Sequence, residues 1–302
     1  MRAITVRDRE AGVGGLSLTE LPHPHAAEND VIVQVHAAGF TRGELDWPGT
    51  WTDRTGRDRT PSVLGHELSG VVAELGYGTT GLTVGQRVFG LADWLRDGSL
   101  AEYTAVEARN LAPLPAGVDH VAAAALVISG LTAWQALFDH AQLQAGQTVL
   151  INGVGGAVGS LAVQLAHEIG AEIIGTGRVA DEDRAKELGV HSFVNVDEVE
   201  KAGQVDAVLD VIGGEIRDRS TALVRPGGTL VTIADPPAVH PGNGRAIFFV
   251  VEPNRDQLTQ LASRLRDGRL TPLVNNVRTL AEAPGAFAPD VRGRTIIKVT
   301  EN

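Results

Sequence analysis

The chain of 302 residues contains no cysteine. That single absence removes disulfides, thiolate nucleophiles, iron–sulfur clusters and cysteine-bound zinc together. Aromatic residues are scarce at 4%, which makes the three loop tryptophans Trp47, Trp51 and Trp94 conspicuous. Positive charge is in deficit: the net charge of −11 argues against nucleic acid or an anionic membrane surface as the main partner. Long apolar runs are also missing. The longest, VAAAALVI at 121–128, falls well short of the roughly 20 residues that span a bilayer. The N-terminus, MRAITVRDRE, carries charge where a secretory signal needs an apolar core. No internal repeat and no low-complexity segment interrupts the chain. Together these features predict a soluble cytoplasmic protein.

What is present suffices for packed cores, since 43% of residues are hydrophobic and the length exceeds that of a typical single domain. The first third reads as strands and turns, with VIVQVHAAG (31–39), SGVVAEL (69–75) and GQRVFGL (85–91) as strands. From about residue 119 the texture changes. DHVAAAALVISGLTAWQALFDHA predicts a helix with Asp119 available as its cap. Strand and helix patterns then alternate from TVLIN onward, through IFFVV (247–251) and a helix over LTQLASRLRDG, which implies βαβ units and a parallel sheet. The tail ends in RTIIKVT, a strand able to return to the first domain. The expected domains are 1–120, completed by 270–302, and 121–269.

The stretch INGVGGAVGS (151–160) joins a strand to an apolar-periodic helix and places glycines at 153, 155, 156 and 159. A dinucleotide pyrophosphate binds at such a junction, because helix N-terminal amides and the macrodipole favour an anion. Glycine is required where a Cβ would hold the phosphates off the backbone. The literal GxGxxG string is absent, and G-x-x-G-x-x-G at 153, 156 and 159 stands in its place. The string alone is a weak signal; its setting between strand and helix in a βαβ run makes it a strong one. Gly153, Gly155, Gly156, Ala157 and Val158 are the candidate pyrophosphate contacts.

The following strand ends in Gly175-Thr176-Gly177-Arg178, with no acid before Asp181. An NAD-specific site carries an acid roughly 20 residues beyond the glycines, which would repel a 2′-phosphate. A small residue followed by arginine accommodates that phosphate instead. Thr176 and Arg178 therefore predict NADPH, the alternative being a solvated loop arginine.

Several motifs occur in order: LGHELSGVVAELG (64–76), DGSLAEYTAV (97–106), SGLTAWQAL (129–137), NGVGGAVGSLAVQLA (152–166), VDAVLDVIGG (205–214), LVRPGGTLVTIA (223–234), FFVVEP (248–253) and VRGRTIIKV (291–299). Through them the sequence resembles the medium-chain dehydrogenase/reductase superfamily, in its zinc-free quinone oxidoreductase (zeta-crystallin-like) branch, almost from end to end. The resemblance implies an α/β fold: a Rossmann doubly wound parallel sheet plus a GroES-like β-barrel domain built from both chain ends, with the active site in the cleft between them. It places Thr132, Gly213, Ile233, Ala234, Phe248, Phe249 and Val250 by the cofactor. Thr41, Trp47, Trp51, His66 and Trp94 become the candidates for the substrate side.

Zinc-dependent members carry cysteine where Thr41 stands, and quinone reductases usually carry asparagine there. His66 with Glu44, Asp46 and Glu67 nearby could in principle hold a metal, but the ligand count favours none. His66 either hydrogen-bonds a substrate carbonyl or satisfies a buried backbone group. The function expected is NADPH-dependent reduction of a quinone or an α,β-unsaturated carbonyl by hydride transfer, with no obligatory general acid evident. The alternatives are a zinc-type alcohol dehydrogenase and a non-catalytic NADPH-binding sensor or structural protein. The apolar segment AIFFVV (246–251) would be costly as an exposed sheet edge, which predicts a homodimer across it.

Overall fold

The computed structural model describes residues 1–291 and 293–300. The chain divides into two compact units. One takes residues 1–128, 253–268 and 274 onward; the other takes 129–252 and 269–273.

The first unit begins with strands β1 (Arg2–Val6), β2 (Ser17–Glu20), β3 (Asp30–Gly39), β4 (Ser62–Val63), β5 (Glu67–Leu75), β6 (Arg87–Leu91), β7 (Tyr103–Glu107) and β8 (Leu111–Pro113). Among them lies a single helical turn, α1 (Pro48–Trp51). Strand β3 is buried along most of its length, as a central strand must be, with Gln34 and His36 half-buried between apolar neighbours. It pairs antiparallel with both β5 and β7. Helix α2 (His120–Trp134) follows, and Asp119 does cap it, its carboxylate accepting the Ala122 amide at 3.0 Å. The helix continues as a π-helical turn through Gln135–His140. By length and composition His120–His140 could cross a membrane, but 72% of its apolar window is buried within the protein.

The second unit contains β9 (Thr148–Asn152), α3 (Ala157–Glu168), β10 (Glu172–Gly177), α4 (Glu182–Glu187), β11 (Ser192–Asn195), β12 (Val205–Asp210), α5 (Gly214–Thr221), β13 (Val224–Thr232) and β14 (Arg245–Phe248). These strands form one sheet in the order β11-β10-β9-β12-β13-β14, and every neighbouring pair is parallel. Counted within the sheet, that is the 3-2-1-4-5-6 order of a doubly wound dinucleotide-binding fold. The order reverses between β9 and β12, so their carboxyl ends mark the switch point where such sheets bind ligands. The strand expected over 247–251 ends earlier, at Phe248.

The chain then returns to the first unit with helix α6 (Arg255–Arg266) and strands β15 (Asn276–Thr279) and β16 (Thr295–Lys298). The sequence pattern grouped α6 with the parallel sheet. Arg255 explains its observed place: its guanidinium donates to the backbone carbonyls of Leu111, at 2.7 Å, and Ala108 in the first unit. Strand β16 pairs antiparallel with β3, Ile296 opposite Gly39, so the tail completes the first sheet.

Candidate functional site

In the second unit the chain leaves β9 through a turn at Gly153, whose φ of +85° only glycine adopts without strain. The Gly153 and Val154 amides donate to the Thr176 carbonyl at 2.9 and 3.0 Å, tying the turn to the tip of β10. Gly156 is the N-cap of α3, and its backbone is ordinary and extended (φ −88°, ψ 172°). The first-turn amides of this 12-residue helix lack intrahelical acceptors and face the turn, which makes an anion cradle.

The glycines divide by cause. A Cβ on Gly159 would collide with the Gly153 carbonyl, so that glycine lets helix and turn pack together. A Cβ on Gly156 would meet nothing nearer than the Gly153 oxygen at 3.4 Å, an ordinary contact. Only the open space before Gly156 is left for a ligand to explain. The residues present therefore fit a dinucleotide, with the Ala157 and Val158 amides on its phosphates, the Gly156 amide already donating to the Gly153 carbonyl at 3.0 Å.

Beneath the turn lies a buried polar network that sequence reasoning missed. Asn152 Nδ2 donates to Asp210 Oδ1 at 3.3 Å and to Ser220 Oγ at 2.8 Å, while its Oδ1 accepts from the Thr176 hydroxyl at 2.9 Å. Asp210 Oδ2 accepts from the Gly213 amide and the Thr232 hydroxyl, both at 2.9 Å. The tips of β10, β9, β12 and β13 are thus fastened by side chains that hydrophobic periodicity ignores. Thr176 corrects the sequence reading here: it is fully buried, and its hydroxyl serves this network rather than a ligand.

Gly213, at φ +81°, approaches the next tip so closely that a Cβ would lie 2.7 Å from the Ala234 Cβ. Phe248 pairs with Thr232, so Gly213, Ile233, Ala234 and Phe248 gather at the ends of β12, β13 and β14. Phe249 packs against His140 with ring centroids 4.4 Å apart, Val250 is 62% exposed, and Thr132 is buried within α2.

The first unit holds a different cluster. His66 stands 5.1 Å from Trp94 and 6.0 Å from Trp47, and the two tryptophans meet edge to face at 5.0 Å. His66 is 2% exposed, and its buried Nδ1 has no hydrogen-bond partner among the described groups. Burial holds its pKa down at about 4, Arg59 adding to the effect while the charge and backbone of Asp93 oppose it. Trp51 is not part of this cluster. It lies in the apolar core, 8% exposed, with Nε1 donating to the Leu45 carbonyl at 2.9 Å.

Two buried carboxylates position the cluster. Glu44 accepts the Thr41 amide at 2.8 Å and the Gly65 amide at 2.7 Å, which locks the Thr41 turn to the Gly65-His66-Glu67 segment. Burial pushes its pKa up to about 8 against the pull of those two amides. Glu67 accepts from the Ile128 amide at 2.9 Å and from the Arg294 guanidinium, which also donates to the Phe40 carbonyl at 2.9 Å. Burial raises the Glu67 pKa too, with Arg294 opposing. Both carboxylates are thereby committed to backbone amides and arginine. Among the described residues no group of three metal-ligating side chains converges.

These shifts give a pH prediction. His66 has a folded pKa of about 4 against an ordinary 6.5, so its neutral form contributes stability above pH 6.5 that is lost as pH falls through about 4. His120 acts in the same direction: burial, the stacked ring of His36 and Arg87 hold it at about 4 as well. Glu44 and Glu67, whose pKa values burial raises, act in the opposite direction over this window, so the histidine contribution is read as a difference: in denaturant titrations from pH 7 to 4, His66→Gln should gain stability relative to the wild type as pH falls. A difference that does not change with pH would assign the acid sensitivity elsewhere.

A switch-point glycine turn on a 3-2-1-4-5-6 parallel sheet defines a dinucleotide-binding unit, and the other unit is a β domain that carries an aromatic-histidine cluster. Comparison with known proteins agrees. Residues 27–116 match the alcohol dehydrogenase GroES-like domain and residues 157–250 the zinc-binding dehydrogenase domain. The quinone oxidoreductase from Coxiella burnetii superposes with a TM-score of 0.89 at 27% identity, covering 99% of each chain. The spectinabilin polyketide synthase system protein NorB of Streptomyces orinoci is 33% identical over 96% of this chain, which spans 14% of that protein's length. The 2-methylene-furan-3-one reductase of Solanum lycopersicum is 30% identical over 83% of this chain and 66% of its own. The chain belongs to the medium-chain dehydrogenase/reductase superfamily, in a quinone oxidoreductase-like branch. Members of this family bind NAD(P).

Proposed function

We propose that the protein is a zinc-independent, NADPH-dependent reductase of quinones or α,β-unsaturated carbonyls. The observation that carries the acceptor class is the buried, unpartnered Nδ1 of His66 among the rings of Trp47 and Trp94. A flat, electron-poor carbonyl compound satisfies both features, stacking on the indoles and presenting its oxygen to the imidazole. NADPH, when bound, supplies the hydride. Glu44 holds Thr41 and His66 in register, and the neutral imidazole offers a hydrogen bond to the carbonyl oxygen. The names of the quinone oxidoreductase and furanone reductase relatives support this acceptor class.

NADPH rather than NADH is favoured by Arg178, whose side chain is 72% exposed at the tip of β10. Zinc independence is favoured by the donor set: the chain has no thiolate, and Glu44 and Glu67 are already engaged. If Trp47 is part of the acceptor platform, Trp47→Ala raises KM for bulky aromatic quinones several-fold more than for small enones, since stacking contributes about 0.5–1.5 kcal/mol. Trp51→Ala lowers stability instead. Equal KM effects of Trp47→Ala on both acceptor types would remove the platform.

We also propose a homodimer through β14. This strand is the edge of the parallel sheet, with Phe248 38% and Val250 62% exposed beside it. An apolar edge of this kind is a template for pairing with a second copy. Light scattering at micromolar concentration should give the dimer mass, and a monomer mass would remove the proposal.

A further inference from the structure

The tip of β10 has no acid in sequence, but the turn after it brings one back. Asp181 closes the 3-10 turn Val179–Asp181, and its Oδ2 accepts the Arg178 amide at 3.1 Å. A Cβ on Gly155 would lie 2.5 Å from Asp181 Oδ1 and 2.7 Å from Oδ2. One on Gly177 would lie 3.3 Å from Oδ2. The carboxylate therefore sits over the glycine turn and beside the last residue of β10. Gly155 is required by Asp181, which separates it from the glycine of the anion cradle. The same carboxylate stands 3.6 Å from Arg178 Nε, and its side chain is 23% exposed.

We infer that Asp181 is a specificity-determining residue for the cofactor, opposing Arg178 and setting how strongly the site prefers a dinucleotide with a 2′-phosphate. The inference rests on the dinucleotide reading of the glycine turn. A guanidinium free to point outward attracts a phosphate dianion through charge-assisted hydrogen bonds. A carboxylate beside it repels that phosphate and competes for the guanidinium. The carboxylate also offers an acceptor to ribose hydroxyls, which an unphosphorylated dinucleotide retains. Selectivity is then the difference between two opposed charges, and the natural chain holds a moderate preference rather than a maximal one.

The test is calorimetric titration of NADPH and NADH into the wild type, Asp181→Asn, Arg178→Ala and the double variant. Asparagine keeps an oxygen for the Arg178 amide, so the turn stays capped while the charge is gone. Asp181→Ser repeats the experiment with a smaller cap, and thermal melting checks both folds. In Asp181→Asn the preference for NADPH over NADH should rise about tenfold, mostly through tighter NADPH binding. Arg178→Ala should shift the preference toward NADH, and the double variant should bring the two affinities close together. A preference changed by less than about twofold in both Asp181 variants, or both cofactors tightening equally, overturns the role of Asp181. Failure of the wild type to bind either cofactor would instead overturn the reading of the turn itself.

Discussion

Gly156→Val is expected to abolish dinucleotide binding while leaving the protein folded. At this position the backbone is extended, and a Cβ would meet no atom closer than 3.4 Å, so a side chain here strains neither the backbone nor the turn at its root. The valine methyl groups occupy the space in front of the α3 amides and hold a pyrophosphate away from them. Losing those charge-assisted contacts should cost at least roughly a hundred-fold in affinity. Gly159→Val makes the contrast. Its side chain collides with the Gly153 carbonyl, a backbone atom that cannot yield, so stability falls by at least the ~1–3 kcal/mol of an overpacked core. Calorimetric titration together with thermal melting separates the two. Gly156→Val that still binds NADPH normally would show that the dinucleotide lies elsewhere.

Arg294→Ala is expected to produce the largest loss of stability of any single ion-pair deletion in the first unit. Glu67 is wholly buried, and the Arg294 side chain is only 11% exposed. Removing the guanidinium leaves a carboxylate without its partner in an apolar surround, which typically costs about 3–5 kcal/mol. The pH dependence identifies the cause. Burial already raises the Glu67 pKa, and without Arg294 it rises further, so protonation relieves the variant as pH falls. The deficit measured by denaturant titration should therefore be smaller near pH 5 than near pH 8. A deficit that is independent of pH would mean that lost packing, rather than stranded charge, dominates.

Much of this was legible in the sequence. The parallel sheet announced itself through strand and helix periods, and the switch-point turn through glycines placed between them. The returning strand Thr295–Lys298 was readable in the tail segment RTIIKVT. What escaped was polar and long-range. Asn152 and Asp210 end apolar strands and looked like ordinary strand termini; only strand order places them side by side. Arg294 lies 227 residues from Glu67, so no local pattern links them. Asp181 was visible as the first acid after the tip of β10, but only the 3-10 turn Val179–Asp181 shows that its carboxylate folds back beside Gly155 and Gly177. Trp51 shows the converse error. A tryptophan in a turn-rich segment read as a ligand platform, although its apolar area and one satisfied N–H suit the core equally well.

The central claim is that this chain uses NADPH to reduce an electron-poor carbonyl compound without a metal. The most direct measurement follows NADPH consumption by the purified protein, after dialysis against a chelator, on adding first a simple quinone and then a simple enone. Elemental analysis is run on the same sample. The account predicts acceptor-dependent oxidation of NADPH by a protein free of stoichiometric zinc, faster than with NADH and indifferent to the chelator. Tight NADPH binding with no turnover of either acceptor, or activity that appears only with one zinc per chain, would contradict it.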